Sequence, residues 1–200
     1  MKKSVSRIIP ALLLALPLAA QPDTWELDPA HSAAQFGVRH MGISTVRGNF
    51  TKLKGTVQYD PSDPAKGGVD VTIDAASIDT RNERRDNDLR SDHFFDVQKY
   101  PTLTFKSKRV ESAGTGKLKV IGDLTIHGVT KEVPLEVEGP SNPVNDNHGH
   151  LHMGASGTTK VKRSDFGMTY GQAMVGDNIT ITIDAELVRP APAGANPSYK

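Results

Sequence analysis

The chain is built from runs in which apolar and polar residues alternate. Val69, Val71, Ile73 and Ala75 alternate with Asp70, Thr72 and Asp74. Ile179, Ile181, Ile183, Ala185 and Leu187 alternate with Asn178, Thr180, Thr182, Asp184 and Glu186. Val133, Leu135 and Val137 repeat the pattern around Pro134 and Glu136. A period of two sends successive side chains to opposite faces of an extended strand. Each run therefore predicts a β-strand with one face on apolar material and the other in water. Phe36, Val38 and His40 form a weaker copy, as do Leu103 with Phe105, and Val120 further on.

Turn chemistry separates the runs. Asp60-Pro61-Ser62-Asp63-Pro64 and Lys66-Gly67-Gly68 make one loop, and residues 140–149 make a longer polar one. Gly114-Thr115-Gly116 and His127-Gly128 are short enough to be hairpin links. Many short, closely spaced strands predict an all-β antiparallel sandwich or barrel. Gly37, Gly42, Gly48 and Gly122 fall in strand-like runs, where glycine either marks a bulge or bend or only loosens the strand.

One segment breaks the alternation. Thr80-Arg81-Asn82-Glu83 fits a capping box with Thr80 as N-cap, and helix formers follow through Arg90. Leu89 is the lone apolar residue of 81–90, with Phe94, Phe95 and Val97 just beyond it. This predicts a short surface helix across one mouth of the barrel.

The two ends differ from the rest. Lys2, Lys3 and Arg7 precede the apolar run 8–16, and Pro17-Leu18-Ala19-Ala20 supplies small residues. That is the layout of a secretory signal peptide over 1–20, too short for a lasting membrane anchor. It predicts an exported, periplasmic protein. Pro190, Pro192, Gly194 and Pro197 predict a frayed tail over 190–200. Residues 21–189 then form one domain, long enough to bury a sizeable core. There is no Cys, so no disulfide holds it. The first twenty residues take three of the 24 Lys and Arg and no acid, leaving 21 basic against 23 acidic residues. Nothing in that balance points to nucleic acid.

Four stretches together resemble the YceI-like family. The first is Leu27-Asp28-Pro29-Ala30-His31-Ser32, then Phe36-Gly37-Val38-Arg39-His40-Met41-Gly42 and Val46-Arg47-Gly48-Asn49-Phe50. The second runs from Ser77-Ile78-Asp79-Thr80 through Arg85-Asp86, Leu89-Arg90-Ser91 and Phe94-Phe95-Asp96-Val97 to Tyr100-Pro101 and Thr104-Phe105. The third is Gly122-Asp123-Leu124-Thr125-Ile126-His127-Gly128-Val129-Thr130-Lys131, and the fourth Arg163-Ser164-Asp165-Phe166-Gly167-Met168. The resemblance implies a lipocalin-like antiparallel β-barrel of about eight strands, a size that encloses one small ligand. It also implies a long isoprenoid lipid as ligand, carried and not transformed. A polyprenyl diphosphate and an isoprenoid quinone both fit. An enzyme acting on such a lipid is the alternative.

A polyisoprenoid needs a long dry pore with few donors. The candidate lining is Phe36, Val38, Ile43, Phe50, Leu53, Phe105, Leu124, Ile126, Phe166 and Met168, each of which could equally fill a packed core. Arg39, His40, Arg47, Arg85 and Asp86 flank the candidate mouth. Arginine grips a diphosphate with a fixed fork of donors, yet pairing between helix and rim explains the same residues. Ser91, Asp92 and His93 are adjacent in sequence without a nucleophile elbow, so no catalytic residue is assigned. No cofactor is assigned either, beyond the lipid as ligand. A homodimer is left open.

His148-Gly149-His150-Leu151-His152 has no counterpart in the family pattern. In an extended strand all three imidazoles face one side, where neutral histidines bind zinc, copper or nickel. They close a polar loop after Asp146 and Asn147, so a solvated loop is the leading expectation and weak surface binding the next.

Overall fold

Alternating sequence becomes alternating strand. The computed structural model describes residues 22–146 and 148–192; the expected signal peptide lies outside them. The order is β1 (Asp23–Leu27), β2 (Ala33–His40), β3 (Ser44–Phe50), β4 (Leu53–Tyr59), β5 (Gly68–Asp74), β6 (Ile78–Asp79) and α1 (Glu83–Arg90). Then follow β7 (Thr102–Ser112), β8 (Lys117–Ile126), β9 (Val129–Glu138), β10 (Val144–Asn145), β11 (His150–Lys162) and β12 (Val175–Pro190).

Eight strands close into an antiparallel barrel in the order β1-β4-β5-β7-β8-β9-β11-β12, with β12 returning to β1. Strand β12 is long enough to serve two neighbours on one edge. Its residues 175–184 pair with β2, and Leu187 and Val188 pair with β1. Strand β2 pairs with β3, and β3 with β6, so these three extend one end of the wall. The seams differ in length. Along β11–β12, thirteen residue pairs run from His150↔Pro190 to Lys162↔Asn178. Between β11 and β9 only Ser156↔Glu138, Gly157↔Val137 and Thr158↔Glu136 face each other. Beyond that point the 3-10 turn Arg163–Phe166 packs against β9 in place of a strand.

Hairpin chemistry explains the tight links. His127 and Gly128 both have positive φ, 51° and 74°, the left-handed pair that a two-residue hairpin requires. The helix begins two residues later than its sequence suggests. Arg81 takes φ 61°, which turns the chain before the helix can start. Asn82 is therefore the N-cap, its side chain accepting the Arg85 N–H at 3.0 Å. The last strand also outruns the expected tail boundary: β12 includes Pro190, and Ala191 N–H donates to Gly149 O at 2.8 Å.

Three apolar clusters brace the barrel wall among the described residues, the smallest being Val110, Leu118 and Val120 on β7 and β8. Trp25, Leu27, Ala34, Leu53, Met153 and Leu187 pack where β1 crosses β12. Phe50, Ala75, Ile78, Leu103, Ile126, Phe166 and Met168 pack beneath α1. Each buried Leu, Ile, Phe or Met among them contributes roughly 1.5–3 kcal/mol gross.

Gly48 is needed where it stands. A Cβ there would lie 2.6 Å from the Phe36 ring and 2.7 Å from the Thr80 methyl group. Gly48→Ala is expected to destabilise the protein by about 1–3 kcal/mol, the usual range for overpacking. Denaturant unfolding checks this, and an unchanged midpoint would refute the close fit.

Candidate functional site

The barrel is not packed solid. It holds a cavity of about 250 Å³, taken as the space open to the centre of a water-sized sphere. One water occupies about 10–15 Å³ on that measure, so the space suits a substantial ligand. Its wall is almost wholly apolar. The inward rows of the alternating strands supply it: Val57, Val69, Val71 and Ile73 from β4 and β5, Val133, Leu135 and Val137 from β9, and Ile179, Ile181, Ile183, Ala185 and Leu187 from β12. Leu89, Phe94 and Phe95, from α1 and the turn after it, line one end. Gln58, Gly67, Gly68 and Pro140 line the other. Phe36, Phe50 and Phe95 form an aromatic row near the helix, with ring centroids 6.0 and 5.7 Å apart.

Most of the expected lining residues face this space. Phe36, Val38, Phe50, Leu53, Phe105, Leu124, Ile126 and Met168 all border it. Ile43 does not. Met41 and Gly42 take φ of 51° and 72°, which turns the β2–β3 hairpin and leaves Ile43 77% exposed at its tip. Phe166 does not border the cavity either. It is 1% exposed and packs among Phe50, Ile78, Leu103 and Ile126 as core. The physical reason is the 3-10 turn, which points it into the wall beside the short β9–β11 seam.

The expected head-group residues do not converge on the cavity. Asp86, the buried residue of α1, accepts the Thr80 N–H at 2.9 Å and also the Thr80 hydroxyl. Arg85 donates from Nε to Thr80 Oγ1 at 2.7 Å and from Nη2 to Thr80 O at 2.9 Å. Both residues fasten the helix to the strand before it. Arg90 adds bonds to Ala76 O and Ile78 O, at 2.8 and 2.7 Å. Arg39 is exposed and holds its own hairpin, donating to Gly42 O at 2.6 Å and Thr45 Oγ1 at 3.1 Å. Arg47 is exposed, since the next residue, Gly48, takes the inward position on β3. His40 is half-buried at the end of β2, opposite Val175.

One charged residue that the sequence did not single out does reach the cavity. Arg163 is 3% exposed and borders the space. Nε donates to Gly176 O at 3.1 Å, Nη1 to Met168 O and Tyr170 O at 2.7 Å each, and Nη2 to Val175 O at 2.9 Å. Burial lowers its pKa, and Asp177 nearby opposes that. Ser164 donates its backbone N–H and hydroxyl to Asp177, at 2.9 and 2.8 Å, which holds that carboxyl below its ordinary value. Arg163 thus shapes the 167–176 segment, whose Tyr170 stacks on His93 with ring centroids 4.0 Å apart.

The three histidines of the polar loop separate. His148 is exposed and donates its backbone N–H to Asp146 Oδ1 at 2.7 Å. His150 and His152 share one face of β11, and each approaches Asp146 Oδ2 through a ring nitrogen, at 3.2 and 3.4 Å. Backbone N–H groups of His150 and His148 hold the Asp146 carboxyl far below the usual carboxylate range. His152 also reaches Glu186 on β12, with Nδ1 2.8 Å from Oε1.

A closed eight-stranded barrel around an apolar cavity, capped by one short helix, defines a small β-barrel with room for a ligand. The chain belongs to the YceI-like family, whose domain profile matches residues 25–187. A UPF0312 protein of Vibrio parahaemolyticus is 40% identical over 170 residues, covering 83% of this chain and 88% of that one. Among solved structures, BcnA of Burkholderia cenocepacia superposes with a TM-score of 0.70 at 29% identity, over 82% of this chain and 99% of that one. The YceI protein of Campylobacter jejuni gives 0.66 at 36% identity, over 76% and 89%. A polyisoprenoid binding domain from Saccharophagus degradans shares the fold, with a TM-score of 0.60 at 17% identity over 84% and 98%.

Proposed function

We propose that this protein is a periplasmic carrier that holds a long-chain isoprenoid lipid in the barrel cavity and does not transform it. The apolar wall of that cavity carries the reading. Each buried CH₂ contributes about 0.8 kcal/mol gross, partly offset by lost chain freedom, so a tail of many isoprene units gains enough to leave water. The polyisoprenoid binding domain of Saccharophagus degradans, with the same fold, supports that class of ligand.

The arginines favour an uncharged head group such as a quinone over a diphosphate. Arg39 and Arg85 already spend donors on the protein's own oxygens. Arg163, the one arginine among the described residues that borders the cavity, is bound to four carbonyls.

Native mass spectrometry and organic extraction of protein purified from its own host test the reading. One lipid per chain is expected. Ile181→Trp puts an indole into the bore opposite Phe36 and is expected to lower recovered lipid at least tenfold with the fold retained by circular dichroism. Arg39→Ala together with Arg47→Ala is expected to leave recovery unchanged. An empty wild-type barrel ends the lipid reading, and loss of lipid in the double variant restores the diphosphate.

A further inference from the structure

The outer face of the barrel brings together donors from three separate parts of the chain. The bend at residues 28–32 is clamped to β12 on both sides of one residue. Asp28 N–H donates to Glu186 O at 2.9 Å, and Ser32 Oγ accepts the Glu186 N–H at 3.0 Å. Asp28 Oδ1 is held by Ala30 N–H at 2.8 Å, which leaves Oδ2 free to meet His31 Nδ1, also at 2.8 Å. Glu186 Oε1 lies 3.9 Å from the same His31 nitrogen. The ligand atoms of Asp28, His31 and Glu186 all lie within 4.8 Å of one another. From β11, His152 sets its Nδ1 2.8 Å from Glu186 Oε1.

We propose that Asp28, His31, Glu186 and His152 form a binding site for a divalent metal ion of the zinc class. Two imidazoles and two carboxylates make a set that zinc takes in tetrahedral geometry. Bonds of about 2.0–2.2 Å place tetrahedral ligand atoms roughly 3.3–3.6 Å apart. The imidazole–carboxylate contacts of Asp28, His31 and Glu186 bracket that spacing, so an ion replaces their hydrogen bonds with little movement of the backbone. His152, which meets Glu186 alone of the three, completes the set by turning its side chain toward the ion.

The outer shell is also in place. When Nδ1 of His152 binds metal, its Nε2 carries the hydrogen, and that nitrogen lies 3.4 Å from Asp146 Oδ2. A carboxylate behind a ligating imidazole fixes the ring and strengthens it as a donor. Asp146 is itself anchored through Oδ1 by the N–H groups of His148 and His150, at 2.7 and 3.0 Å. The site lies outside the lipid cavity, because Glu186 sits between Ala185 and Leu187, which line it. Glu138 and Asp184 border the shallow groove beside it and add negative potential that draws a cation in.

Zinc titration of the purified protein against a chromogenic chelator tests the site, with cobalt(II) absorption reporting geometry. One ion per chain is expected, with a tetrahedral cobalt spectrum and a raised melting temperature with zinc. His31→Ala, His152→Ala and the isosteric Glu186→Gln are each expected to weaken zinc at least tenfold. Asp146→Asn should weaken it about tenfold or more through the outer shell. His148→Ala should bind like wild type. Wild-type protein that binds no zinc overturns the proposal. So does binding that survives His31→Ala and Glu186→Gln but is lost in His148→Ala, which would move it to the loop. Extracted lipid, measured on the same samples, reads the cavity separately.

Discussion

Arg163→Met is expected to lower stability by about 3–5 kcal/mol and to empty the cavity. The guanidinium satisfies the carbonyls of Met168, Tyr170, Val175 and Gly176 from one buried point. A thioether of similar length fills the volume and donates nothing. Each buried carbonyl left unpaired costs about 1–3 kcal/mol, reduced where water reaches it. Arg163→Lys should recover only part of the loss, since an ammonium cannot span four acceptors set around a planar fork. Urea unfolding of the three proteins, with lipid extraction, measures both effects. A Met variant within about 1 kcal/mol of wild type would refute the role assigned to Arg163.

Phe166→Asp is expected to abolish folding. The ring is 1% exposed, among Phe50, Ile78, Leu103 and Ile126. Truncating a buried Phe alone costs about 3–5 kcal/mol. An unpaired carboxylate in the same place adds to that. Recovery of soluble protein and its near-ultraviolet circular dichroism give the readout. Phe166→Leu separates shape from charge and is expected to fold with a modest loss. A well-folded Asp variant that merely releases lipid would show that Phe166 faces the ligand after all.

The apolar face of this barrel was legible because strand geometry is local. The row Ile179, Ile181, Ile183, Ala185 and Leu187 needs only a period of two to declare one inward side, and all five border the cavity. What eluded the sequence depends on contacts across the chain. Phe166 and Met168 look alike as apolar residues of one motif, yet the 3-10 turn places the first in the core and the second on the cavity. Arg85 and Asp86 read as mouth residues until the left-handed turn at Arg81 brings Thr80 back against both. The helix N-cap moved to Asn82 for the same reason. Arg163 stood in the fourth family-like stretch, but nothing there marked its role, because its partners are backbone carbonyls, which every residue has. The pairing of His152 with Glu186 joins residues 34 positions apart, a distance that no motif spacing spans.

The unequal seams give the barrel a mechanical character. Thirteen residue pairs bind β11 to β12, whereas three bind it to β9. Two bind β12 to β1, so the ring is two stretches of curled sheet joined by short clasps, and the Phe166 turn is wedged beside the one between β9 and β11. Opening that clasp breaks few backbone bonds and leaves every other strand pairing intact. It would expose one long side of the bore at once. A guest far longer than the barrel is wide could then slide in or out flank first, without threading end-on past the helix.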